Sequence, residues 1–165
     1  MLNLIKNGNE IERRFLVKEL PVLDNYKSYN IIQYYLNDKV TRLRKINNDK
    51  YILTQKSGSG MARTEIEYEL DKNNFDNLKL GATSYITKTR YVIPLNDNLV
   101  AELDVFTGNH SGIIICEVEF DSIESASNFV PPFWFGLEVT LDKNLSNKQM
   151  SKNYQKALAY YKKLV

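Results

Sequence analysis

At 165 residues, with 43% hydrophobic and 25% charged side chains, the chain is long enough to bury a core as one soluble domain over 1–165. A formal net charge of +2 argues against a nucleic-acid surface, and no apolar run reaches membrane-spanning length. The single cysteine, Cys116, excludes an internal disulfide, and the N-terminal MLNLIKNGN lacks the apolar segment of a signal peptide, so a cytoplasmic protein is expected.

Turn signals at 36–40, 46–51, 56–60, 94–99 and 106–112 cut the chain into short extended pieces. The strands between them are predicted over 10–17, 30–36, 40–46, 50–56, 63–70, 83–94, 99–106 and 113–120. Eight meandering strands suit a closed barrel or a sandwich. Three stretches read as helices. DKNNFDNLKL follows Leu70 and is capped by Asp71. DSIESASNF has Asp121 as its cap and Glu124 three residues on. The tail from Ser146 sets Met150, Tyr154, Leu158 and Tyr161 on one face. Between the last two, PPFWFG (131–136) packs against a rim. The sequence shows no repeat, linker or low-complexity segment, and it specifies no oligomeric state.

Charge alternates along most of these strands. Glu10, Glu12 and Arg14 share one face of the first, and Arg42 and Arg44 one face of the third; Lys56 ends the fourth. Arg63, Glu65, Glu67 and Glu69 follow, then Lys88 and Arg90, Glu102 and Asp104, and Glu117 and Glu119. The opposite faces are largely apolar, as at Ile11, Phe15, Leu43, Ile66, Leu103, Cys116, Val118 and Phe120. A solvated sheet face would give such alternation, with cross-strand ion pairs of modest worth. Two features point elsewhere. The polar face is close to pure Glu, Asp and Arg, and some strands supply only carboxylates while others supply only cations. The chain also has 16 lysines, spread over loops and helices, but only six arginines, all in predicted strands. Carboxylates are natural ligands for Mg²⁺ or Mn²⁺, and arginine forks match phosphate oxygens. Together they describe a site for a charged phosphate chain with a divalent metal.

EIERRFLV (10–17) resembles the ExExK signature of the CYTH superfamily, the triphosphate tunnel metalloenzymes. RLR (42–44), LTQKSGSGMARTEIEYEL (53–70), ITKTRYVIPL (86–95), AELDVFTG (101–108), EVEF (117–120) and GLEVTLDK (136–143) follow in that family's order and cover nearly the whole chain. The likeness is greatest to the short bacterial members. The resemblance implies a mainly β, α+β fold: an eight-stranded antiparallel closed barrel whose charged residues line a tunnel, with a few flanking helices including a C-terminal one. It implies metal-site acids at Glu10, Glu12, Asp104, Glu117 and Glu119, and phosphate-binding cations at Arg42, Arg44, Lys56, Arg63, Lys88, Arg90 and Lys143. Glu65, Glu67, Lys88 and Arg14 form the catalytic set it implies. Arg14 stands where the motif has lysine, so a broad fork replaces a compact ammonium.

Other candidates weigh less. His110, the only histidine, reads as a solvated turn residue, Cys116 as a buried hydrophobe, and the tyrosines as packing residues. GSG (58–60) lacks the GxxxxGK[ST] pattern of a phosphate loop. The expected activity is Mg²⁺- or Mn²⁺-dependent hydrolysis of tripolyphosphate or a related small triphosphate, such as a nucleoside or thiamine triphosphate, with no nucleic-acid or membrane partner. The alternatives are a class IV-like adenylyl cyclase and a non-catalytic polyphosphate- or nucleotide-binding barrel.

Overall fold

Period-2 alternation becomes nine strands in a computed structural model that describes residues 2–36, 41–58, 61–96 and 98–165. In chain order they are β1 (Asn3–Val17), β2 (Lys27–Leu36), β3 (Thr41–Ile46), β4 (Lys50–Ser57), β5 (Ala62–Leu70), β6 (Ala82–Pro94), β7 (Val100–Thr107), β8 (Ile114–Phe120) and β9 (Phe135–Glu138). All pairings are antiparallel. Strands β5-β4-β3-β2 form one meander and β6-β7-β8 another, joined where β2 pairs with β6. The sheet closes through β1, which pairs with β5 along residues 3–11 and with β8 along 11–16. Closure into an eight-stranded barrel leaves no long unpaired edge. β9 then occupies the flank of β1 that β5 has left, setting Phe15 opposite Glu138 and Val17 opposite Phe135.

The predicted strands match these closely, with two differences. β1 begins seven residues before Glu10, because β5 supplies backbone partners to a polar Asn/Gly run of low strand propensity. β9 was not anticipated. Gly136 lets it lie close to β1: a Cβ there would stand 3.2 Å from the Leu16 carbonyl oxygen. Asn47 takes the left-handed conformation (φ 50°) in the β3–β4 turn, and its side chain accepts from the Asn30 amide at 3.0 Å. The turns expected at 36–40, 56–60 and 94–99 fall partly on 37–40, 59–60 and 97, which lie outside the described residues.

Helix α1 (Lys72–Lys79) starts at the expected cap, Asp71, and buries Phe75 against Tyr51 and Tyr34 on the outside of the barrel. Helix α2 (Ile123–Asn128) is capped by Ser122, not Asp121: the serine hydroxyl accepts from the Ser125 amide at 3.0 Å. The tail is two short helices, α3 (Asn147–Lys152) and α4 (Tyr154–Tyr161), where one was expected. They part at Asn153, whose extended backbone ends α3 and whose side chain caps α4. Met150 and Tyr161 are buried as the pattern implied, but Tyr154 is exposed and Ala157 takes a buried place.

Inside the barrel the inward series change character along each strand. Glu10, Glu12 and Arg14 give way to Leu16; Arg90 and Lys88 to Ile86; Glu102 and Asp104 to Phe106; Glu119 and Glu117 to Ile115. Leu16, Ile86, Phe106 and Ile115 pack with Val139, Leu145 and Met150 from the C-terminal segment. That apolar cluster fills one end, so the barrel is a charged cup with an apolar floor. His110, expected in solvent, is buried beside this floor, with Nε2 2.8 Å from the Met150 carbonyl oxygen. A second apolar layer lies outside: Ile11, Phe15, Leu103, Cys116, Val118 and Phe120 pack under α2, Trp134 and Phe135.

Candidate active site

Closing the sheet brings the charged faces together around a cavity of about 440 Å³. Glu10, Glu12 and Arg14 reach it from β1, Arg42 and Arg44 from β3, Lys56 from β4, and Arg63, Glu65 and Glu67 from β5. Lys88 and Arg90 come from β6, Glu117 and Glu119 from β8. Two residues expected in the site are not in the lining. Asp104 lies beneath it, fully buried, and is reached through Lys88 and Arg90. Lys143 is exposed in a 3-10 turn (Lys143–Leu145). The chain's approach there delivers Ser146, Asn147 and Lys148 to the cavity, so Lys148, not Lys143, is the basic residue the C-terminal segment brings to the lining.

Each carboxylate in the cup is held by a cation. Glu10 Oε2 is 2.5 Å from Lys56 Nζ and 3.4 Å from Arg63, which also pairs with Glu12. Glu65 takes Lys6 on one oxygen (3.1 Å) and Lys56 (2.9 Å) and Arg42 (3.2 Å) on the other. Glu67 accepts from Arg44 at 2.5 Å and from the Thr54 hydroxyl at 2.8 Å. Arg90 forks onto Asp104 (2.7 and 2.8 Å) and reaches Glu117 at 2.9 Å. Arg14 Nε donates to Glu117 at 2.9 Å while its Nη2 donates to the Leu145 carbonyl at 2.9 Å. Among the described residues, nine basic and seven acidic side chains line the cavity, with Asp104 beneath it paired to Lys88 and Arg90.

The pairing sets the protonation states. Burial opposes ionisation of Glu65, but Lys56 and Arg42 outweigh it and hold the carboxyl down to about 2. Glu117 is likewise penalised by burial, yet Arg14, Lys88 and Arg90 keep it well below the usual carboxylate range. Glu12 goes the other way: burial, then the charges of Glu117 and Glu10, push it up. Lys88 is pushed down by burial and by Arg90, against the pull of Asp104.

A divalent metal would meet only hard oxygen donors here, the set Mg²⁺ and Mn²⁺ prefer. Among the described residues no three His, Cys, Asp or Glu side chains are gathered around one point as ligands. The acids nevertheless lie side by side. Glu12 is directly opposite Glu119 across β1 and β8, and Glu102 opposite Glu117 across β7 and β8. Like charges so placed repel. Burial first, and then the neighbouring acids Glu117 and Glu10, push Glu12 up, and the residues fit a divalent ion by the chemistry of their oxygen donors.

Several lining residues escaped the sequence reading. Lys6 continues the parity of Glu10 through Gly8, and Gln33 and Tyr35 share the inward parity of β2. Glu102 was visible in the alternation but outside the predicted set; Thr41 also lines the cup.

The CYTH domain family model matches residues 8–140. This chain belongs to the CYTH domain family. It is 38% identical over 146 residues to an inorganic triphosphatase of Nitrosomonas europaea, covering 86% of this chain and 96% of that protein. It is 30% identical over 151 residues to an inorganic triphosphatase of Acetivibrio thermocellus, covering 88% and 95%. A crystal structure of an inorganic triphosphatase superposes with a TM-score of 0.64 at 36% identity, over 90% of this chain and 96% of that one. CYTH membership agrees with the closed antiparallel barrel and its inward charges. Among the described residues no helix is long and apolar enough to cross a membrane.

Proposed function

We propose that this protein hydrolyses inorganic tripolyphosphate in the cup of its barrel, with Mg²⁺ or Mn²⁺. One observation carries the reading: nine basic and seven acidic side chains converge on about 440 Å³. Such a cup is unsuited to an apolar ligand and suited to a small polyanion together with a cation. The two homologous inorganic triphosphatases support the same substrate class.

The ion pairs explain how both ligands are accepted. Arg42, Arg44, Lys56, Arg63 and Arg90 are held by carboxylates, and a phosphate chain offers them better-matched oxygens. The carboxylates released in that exchange, Glu10, Glu12 and Glu117 with Asp104 behind them, would hold the metal together with the second oxygen of Glu119, which pairs with Lys6 through the first. Substrate and metal therefore favour each other's binding, since each relieves the pairing the other would leave broken. When bound, the ion supplies charge neutralisation and polarisation of the phosphoryl oxygens.

The remaining steps belong to the chain. Lys88 and Arg90 donate to the transferred phosphoryl in a dry site, where such contacts are worth most. Glu65, a carboxylate in the resting cup, would accept a hydrogen bond from the attacking water and orient it; Glu67, which keeps the Thr54 hydroxyl when Arg44 turns to phosphate, lies on the same strand. Arg14 holds Glu117 and ties the cup to its floor through Leu145. Phosphate release from tripolyphosphate and ATP, with each metal and with chelator, beside an assay for cyclic AMP, tests the reading. Metal-dependent release with tripolyphosphate preferred is expected; absence of release, or cyclic AMP as the product, overturns it.

A further inference from the structure

Lys6 lies outside the span matched by the family, residues 8–140, yet it lines the cavity. The seven residues of β1 that precede Glu10 carry it there, paired with β5, so that it faces Glu67 in register. Its ammonium bridges Glu65, at 3.1 Å, and Glu119, at 3.0 Å. Side-chain exposure grades the cations by depth: 2% for Lys88, 15% for Arg42, 19% for Lys56, 26% for Arg63 and 31% for Lys6. Lys6 is thus the outermost of these, beside Glu119, whose side chain is 56% exposed at the rim.

We propose that Lys6 is a specificity-determining residue that receives the outer end of the phosphate chain and selects inorganic tripolyphosphate over nucleoside triphosphates. This rests on the triphosphatase reading above. A lysine carries three donors, and Glu65 and Glu119 take two of them, so it can add a phosphate oxygen without surrendering its position. With one end of the substrate among Lys88 and Arg90, the other end lies toward the rim. For tripolyphosphate that outer end is a terminal phosphoryl with up to two negative charges. For a nucleoside triphosphate it is an ester-linked phosphate with one charge, followed by a ribose. A rim cation rewards the first more than the second.

The test compares wild type, Lys6→Met and Lys6→Arg by steady-state kinetics on tripolyphosphate and ATP, with calorimetric affinities for both and melting temperatures. Lys6→Met is expected to raise KM and Kd for tripolyphosphate about fivefold, the scale of one partly exposed charge contact, and to change those for ATP less than about twofold. Its kcat and melting temperature stay near wild type, and Lys6→Arg restores the preference. Equal effects on both substrates, no effect on either, or a loss explained by a lowered melting temperature overturns the inference. Calorimetry reads the same contrast without turnover, so a wild type that binds but does not hydrolyse tripolyphosphate sinks the triphosphatase reading and leaves this one decided by the affinities.

Discussion

Arg14 and Glu117 face each other across β1 and β8, and the arginine Nε donates to the glutamate Oε1 at 2.9 Å. The same guanidinium spends another donor on the Leu145 carbonyl, also at 2.9 Å, where the 3-10 turn meets the barrel floor. The fork that replaces the motif lysine therefore does two things in two directions. A lysine ammonium on a single flexible stem does not hold both partners in one fixed geometry. Arg14→Lys is expected to lower stability by about 1 kcal/mol, the worth of one buried hydrogen bond. Arg14→Ala removes the charge beside a buried carboxylate, and with Arg90 still bound to Glu117 the expected cost is about 2 kcal/mol, below that of a wholly unpaired ion. Denaturant melts measure both, and a lysine variant as stable as wild type would show that the Leu145 contact contributes nothing.

The opposed carboxylates give a second test. Burial and the charges of Glu117 and Glu10 raise the folded-state pKa of Glu12. For an acid, a raised pKa means that the folded state holds its proton longer than the unfolded chain does. Its contribution to stability therefore falls as pH rises through the unfolded value toward the folded one, and at neutral pH it opposes folding. Glu12→Gln is expected to leave the protein in chelator as stable as wild type or more so. The same change removes a metal oxygen. Wild type at about 100 times Kd of ligand gains roughly 2.7 kcal/mol, and the variant is expected to lose most of that gain. Thermal melting with chelator, and with Mg²⁺ plus tripolyphosphate, reads both effects. A destabilised variant with an intact ligand response would remove Glu12 from the site.

Parity made most of the cup legible in the sequence. An inward strand position is two residues from the next, so Glu10 placed Glu12 and Arg14, and Arg42 placed Arg44. The same rule fails where an element is not recognised. Asn7, Gly8 and Asn9 hid the start of β1 and with it Lys6. The prolines of PPFWFG hid β9. Parity also carries no information on what a helix or turn places over a barrel end, so nothing in the strand pattern pointed to Lys148, which lines the cavity where Lys143, implied by the resemblance, does not. Five of the six arginines line the cup: Arg13 shares a strand with Arg14 but has the opposite parity and faces outward.

The floor can be probed apart from the chemistry. Met150 is wholly buried among Leu16, Phe106, Ile115 and Leu145, and its side chain is not part of the cavity lining. Met150→Ala leaves a void in a packed cluster and is expected to cost about 2–4 kcal/mol. Because Arg14 is anchored on the neighbouring Leu145, the variant is also expected to lower kcat more than it raises KM for tripolyphosphate. Unchanged kinetics in a destabilised protein would show that the floor does not position the site.

Arg13 explains why an outward arginine occupies the motif. Its guanidinium forks onto Glu138 of β9 at 2.9 and 2.7 Å and donates to the Ala126 and Phe129 carbonyls at 2.9 and 3.0 Å. It thus fastens β9 and the end of α2 to β1. The hydrogen bond from Arg13 comes first among the causes that hold the Glu138 carboxyl below its ordinary value, with burial opposing and Thr140 assisting. A lowered acid pKa contributes stability that is present above the unfolded value, about 4.3, and is lost as pH falls through the folded one. Glu138 is more than a third exposed, so solvent screening limits the effect to about 0.5 kcal/mol. Glu138→Gln is expected to melt slightly below wild type at pH 7 and to converge with it below pH ~4, without changing KM for tripolyphosphate. Arg13→Met also strands two carbonyls and is expected to cost about 2 kcal/mol. Melting curves of the three proteins across pH measure this. A Glu138→Gln deficit that persists in acid would mean that the residue acts through packing and not through its charge.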